Sequence, residues 1–196
     1  MRRWTVSSTA VTAVLVLAGL SIGSFIDRRV PSSDDVLSEP FVHPVAMGET
    51  AHLRTGELTA VRVETARTVS DGFATRHSTG TWVVVTMDVI ASGEQRTFSE
   101  MEMRSTSGRT YSGGDVAASC AAAQPDVPLE CSVAFEVADE DVPGLVLAVP
   151  AESQPGSPAD DLALIDLGIA SDDPLATTPQ PAIDVVNLAV PGAGAR

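Results

Sequence analysis

The chain has 196 residues, 44% of them hydrophobic, with a formal net charge of −14 and a sequence pI near 4.4. Its basic residues are all arginine, and residues 32–196 hold 25 Asp and Glu against 8 Arg, a formal charge of −17. Such a surface repels nucleic acid, whose binding needs a basic footprint, and repels anionic lipid headgroups. The size suits one domain with a proper core plus tails. The acidity fits a solubilising coat on an exported domain; the sharper alternative is recruitment of cations or a basic partner.

The first element is apolar. Residues 4–26, WTVSSTAVTAVLVLAGLSIGSFI, run 23 positions without a charge. As a helix they extend roughly 34 Å, enough for a bilayer core of about 30 Å. Arg2 and Arg3 precede the run, Trp4 is an interfacial anchor, and Arg28 and Arg29 follow. Residues 1–29 are therefore expected to form a signal-anchor or transmembrane helix. A cleaved secretory signal is the alternative, since the most apolar part is only Ala10 to Leu20. No A-x-A-like triplet follows the run, and Ser21-Ile22-Gly23 is a weak substitute, which favours the anchor. The arginines flank it evenly, so orientation leans on the cysteines below.

Residues 30–47 hold three prolines and three acids and are expected to be a juxtamembrane linker, with a first short strand at its end. Period-two segments then follow over 48–170. In 58–69, Val61, Val63 and Val69 share one face and Arg62, Glu64 and Thr68 the other. In 81–90, Val83, Val85, Met87 and Val89 oppose Trp82, Val84, Thr86 and Asp88. Met101 and Met103 alternate with Glu100, Glu102 and Arg104; Val133, Phe135 and Val137 continue the phase of Cys131. Residues 144–150 and 161–169 supply two more strands. One apolar and one polar face is the pattern of a half-buried antiparallel strand. Asp71-Gly72, Ser92-Gly93, Ser107-Gly108 and Gly113-Gly114 punctuate the series as turns. No convincing amphipathic helix intervenes, so an all-β, immunoglobulin-like antiparallel sandwich is expected.

Cys120 and Cys131 are separated by ten residues. In an exported domain the simplest reading is a disulfide; two buried thiols or half of a metal site are the alternatives. A disulfide places the C-terminal domain in an oxidising compartment, outside the cytoplasm. Beyond Ser171 the chain is Pro-rich, and the apolar island 182–190 interrupts it. The island either folds back on its own sandwich, over Trp82 and Val84, or adds a strand to a partner. We favour the first. The candidate partner surface from sequence is Trp82, Val84 and Phe73 together with Ile183, Val185, Val186 and Leu188 of the tail.

Three groups of residues carry a resemblance. They are Gly80 with Val83, Val85 and Val89; Met101 and Met103 with Gly108 and Tyr111; and Val133, Phe135 and Val137. Over residues 48–150 the chain resembles the exported immunoglobulin-like domains of Gram-positive bacteria of the immunoprotective extracellular antigen type. It departs from that pattern at Ala91-Ser92-Gly93, where an Asn-Gly-like turn is usual. Asp126-Val127-Pro128 and the cysteines replace a Pro-Gly turn before the third group. The resemblance implies a binding or accessory module and no general catalytic role.

Catalytic motifs are not evident. His43, His52 and His77 form no H-x-H or H-E-x-x-H pattern, no serine lies in G-x-S-x-G, and Asp115 follows the Gly113-Gly114 pair. Asp139-Glu140-Asp141 and Asp160-Asp161 read as solvated turn residues, with weak Ca²⁺ binding as the alternative. The expectation is a non-enzymatic chain without cofactor or metal. It is held to the cytoplasmic membrane by its N-terminal helix and binds an envelope protein with its extracytoplasmic domain. A secreted, signal-cleaved protein is the alternative, and an envelope enzyme a remote one.

Overall fold

The computed structural model describes residues 39–113, 120–152 and 159–185. The expected membrane segment, the linker up to residue 38, and Val186 and Leu188 lie outside them. Among the described residues no helix is long and apolar enough to cross a membrane.

The described residues form twelve strands, β1–β12: Phe41–Ala46, Thr50–Leu53, Gly56–Ser70, Thr75–Ala91, Arg96–Phe98, Glu102–Arg104, Thr110–Ser112, Cys120–Ala123, Leu129–Val137, Val146–Glu152, Ala159–Asp166 and Ile183–Asp184. One sheet has the order β1-β11-β10-β6-β7. The other runs β12-β3-β4-β9, with β2 also on β3, and β5 and β8 form a separate pair. The chain crosses between the two main sheets from β4 to β6, from β7 to β9 and from β9 to β10. The hairpins β3–β4, β6–β7 and β10–β11 stay within a sheet. The result is a β-sandwich. β1 lies at the end of the stretch expected as linker, where a first short strand was expected; it pairs in parallel with β11, Val42 opposite Leu162 and Pro44 opposite Leu164.

The core lies between the sheets. Val83, Val85, Met87 and Val89 of β4 and Val133 and Phe135 of β9 meet Met103, Leu147, Val149, Ala163 and Ile165 from the facing sheet. All are essentially inaccessible. Burying each larger side chain contributes about 1.5–3 kcal/mol. Period two identifies these residues because the strands carrying them pair in unbroken register where they pack.

β3 departs from the expected faces. Its register against β4 shifts between Ala60 and Arg62 and again between Ala66 and Thr68. Each extra residue reverses which side chains face inward. Leu58, Ala60 and Val63 therefore share the core side, Val61 is 44% exposed, and Val69 lies on the outer face. At the second irregularity β4 places Ser78–Thr81 opposite Arg67 alone. The Arg67 guanidinium holds this bulge, donating to Gly80 O at 2.6 Å, Thr81 Oγ1 at 3.2 Å and Asp139 Oδ1 at 2.7 Å. A side chain at Gly80 has no room, since a Cβ there would lie 2.4 Å from Val137 O.

Cys120 and Cys131 form a disulfide with Cα atoms 5.7 Å apart, tying β8 to β9. The tail's described residues end at Val185. Helix α1, Pro174–Thr177, is capped by the Asp173 carboxylate, which accepts from Leu175 N at 2.8 Å. Leu175 and Ala176 pack against the core, and Thr65 Oγ1 donates to Leu175 O at 2.7 Å.

Candidate functional site

The surface expected from sequence is largely covered. Trp82 and Val84 project from the outer face of β4 but are 4% and 2% exposed. With Ala66, Val69 and Ala134 they form a second apolar cluster, closed by Ile183 and Val185 of the tail. The tail thus folds back over Trp82 and Val84, and these two residues offer no free docking face while it is there. Phe73 stands apart, 96% exposed at the tip of the β3–β4 hairpin. Asp71 shapes that tip, accepting from Phe73 N at 2.9 Å and Ala74 N at 2.8 Å. The Ala74 and Phe73 amides hold its carboxyl below the usual range.

The acidic triplet forms a 3-10 turn between β9 and β10, and its carboxylates bind arginines. Arg67 pairs with Asp139, while Arg109 Nη1 donates to Glu140 Oε1 and Asp141 Oδ2, each at 3.0 Å. Asp141 is buried and also accepts from the Tyr111 hydroxyl. Tyr111, then Ser107 and Arg109, lower the Asp141 pKa; Arg67 and then Thr81 lower that of Asp139; Arg109 lowers that of Glu140. These groups clamp β7 and the β3–β4 bulge to the inter-sheet turn. They are ion-paired rather than merely solvated.

The histidines sit on different strands. His43 Nε2 is 3.2 Å from Asp161 Oδ1, whose other oxygen accepts from Arg54 N at 2.7 Å. His52 Nδ1 lies 3.0 Å from Glu57 Oε1, and His77 Nδ1 lies 2.9 Å from Thr68 Oγ1, both on exposed surface. Among the described residues no group of three or more His, Cys, Asp or Glu converges as a metal site.

The outer face of the β1-β11-β10-β6-β7 sheet is the more open apolar surface. Val42 and Pro44 of β1, Leu162 and Leu164 of β11, and Val146 and Pro150 of β10 share it by register. Val42 is 51% exposed, and the two leucines, Val146 and Pro150 are half-buried. Two shallow depressions mark the face. One is lined by Pro44, Val146, Leu164, Glu49 and Asp166, the other by Pro150, Leu162, Glu100, Glu102 and Arg104. Its apolar floor is thus rimmed mostly by carboxylates. The sequence reading missed it because Val42 and Pro44 fall in the presumed linker and because β11 is apolar on both faces. The run LALI was the available signal.

No protein-family model matches the chain, and no curated protein matches it. Among solved structures the chain is similar to an uncharacterized β-sandwich protein from Clostridium difficile 630. The identity is 12%, the TM-score 0.44, and the match covers 65% of this chain and 95% of that one.

Proposed function

We propose that the chain is a single-pass, membrane-anchored, extracytoplasmic immunoglobulin-like domain of the bacterial envelope that works by binding another envelope protein. The observation carrying this reading is the apolar strip on β1, β11 and β10, bordered by Glu49, Glu100, Glu102 and Asp166. A face of half-exposed Val, Leu and Pro inside an acidic rim fits a partner with an apolar patch ringed by Lys or Arg. Pro40 and Pro44 on and beside the edge strand remove backbone donors, favouring docking by the face over pairing at that edge. The immunoglobulin-like reading is supported by the parallel pairing of the first strand with β11 and by the repeated crossings between sheets. The uncharged run 4–26 supports the anchor, and the Cys120–Cys131 bond supports an oxidising compartment.

The test uses full-length chain captured from detergent-solubilised membranes in three forms: wild type, Leu164→Glu and Phe73→Asp. A discrete heterologous protein retained by wild type and Phe73→Asp, but reduced roughly tenfold or more by Leu164→Glu, is expected. It is also expected to elute as salt rises. Identical protein sets from all three forms, or recovery of this chain alone, would contradict the proposal.

A further inference from the structure

The groove beneath the tail has a chemistry its cover does not satisfy. The Trp82 indole Nε1 is buried and has no hydrogen-bond partner among the described residues. Buried indole N–H groups almost always find an acceptor, and one left without it is costly. The tail residues that share its apolar cluster are Ile183 and Val185, whose side chains offer none.

The cover is also thinly attached. Gln180 N donates to Thr65 O at 2.8 Å, Arg67 N donates to Gln180 O at 2.9 Å, and Val185 N donates to Ser70 O at 2.7 Å. The intervening ladder is two residues long, Ile183 opposite Val69 and Asp184 opposite Ser70. Pro179 and Pro181 flank Gln180 and have no N–H to give to β3. Beneath lie Ala66, Val69, Trp82, Val84 and Ala134, an apolar floor beside a strand edge. This is the layout of β-strand addition, in which main-chain bonds run along an edge and alternate side chains fill pockets.

We propose that the β3 edge from Thr65 to Ser70, with the Trp82 floor, is a strand-acceptor groove that the tail closes in cis. Its partner is an extended segment of another protein, with apolar residues at alternate positions and a side-chain hydrogen-bond acceptor over Trp82. Binding displaces Gln180–Val185, so the tail acts as an intramolecular competitor. This site lies on the opposite sheet from the apolar strip proposed above and stands or falls separately.

The experiment uses the full chain with Trp4→Phe, leaving Trp82 as the sole tryptophan. The probes are synthetic peptides copying residues 178–185, and versions in which Thr or Gln is scanned through positions 182–185. The protein is tested as such, with the cover weakened by Ile183→Asp, and with it locked by a Val69→Cys/Ile183→Cys disulfide. Saturable change in Trp82 emission is expected. At least one acceptor-bearing peptide should bind about tenfold tighter than the parent. Ile183→Asp should tighten all peptides, and the locked chain should bind none. The proposal is overturned if no peptide binds the Ile183→Asp chain, or if the locked chain binds as well as the free one. It is also overturned if acceptor-bearing peptides bind no better than the parent, a result that assigns the groove to the tail of a second copy.

Discussion

At the scale of single residues, the charged groups explain more structure than chemistry. Asp141 is the sharpest case. Its folded pKa lies below its unfolded value, so its contribution is present above about pH 4 and is lost as pH falls through the folded value. Asp141→Asn should therefore lower the melting temperature at pH 7 and shrink the further drop between pH 7 and pH 3. Melting curves at the two pH values check this; an unchanged pH difference would assign the acid sensitivity elsewhere. Gly80 makes a steric prediction. Gly80→Ala drives a Cβ into Val137 O and should destabilise the fold by about 2 kcal/mol or more in urea titration. The need for a glycine there was visible in sequence only as a Gly before a Val-rich run. The close backbone approach that demands it is a property of β4 against β9. The acidic triplet was equally opaque, because Arg67 and Arg109 are distant in sequence and meet it only after the strands pair.

At the scale of elements, strand identity was legible and strand faces were legible only where the register is regular. β4, β9 and β10 bury the residues their alternation predicts. β3 does not, because Val61 is one extra residue against β4, and at Arg67 the pairing shifts again as β4 bulges through Ser78–Thr81; each irregularity inverts the phase. The insertions were concealed because the bulged Val61 is itself apolar and alternates in phase with Val63 and Val69. β1 was expected only as a short strand at the end of a linker, because Pro40 and Pro44 read as linker residues, yet an edge strand in parallel pairing tolerates Pro44. The disulfide was legible from the spacing of the two cysteines and the expectation of an exported domain. Replacing both Cys120 and Cys131 by Ser should cost about 2–3 kcal/mol in the chain-entropy account, measured as the urea midpoint shift at constant slope. A change in slope instead would indicate an altered unfolded or native ensemble. The tail's apolar island was legible as an anomaly, and the second cluster gives Ile183 and Val185 a place on their own sandwich.

At the scale of the whole molecule, the sandwich presents two apolar surfaces of different standing. One is sealed by the chain's own tail, and the other is open and ringed by acid. The formal charge of −14 makes attraction of a basic rim long-ranged at low salt and weak beyond the screening length of about 8 Å at physiological ionic strength. Binding through the open face should accordingly lose rate as salt rises while its apolar contacts persist. Placement of the molecule rests on residues 4–26. Mass spectrometry of the chain recovered from membranes should find the N-terminus intact. A mature terminus near Ser24 would replace the anchor with a cleaved signal.

The most direct measurement is position-specific crosslinking in intact cells. A photoreactive phenylalanine analogue replaces Leu164 on the open face in one strain and Phe73 at the hairpin tip in another. The account predicts a discrete adduct with one heterologous envelope protein from position 164, and its absence from position 73. No adduct from position 164, or the same adducts from both positions, would contradict it.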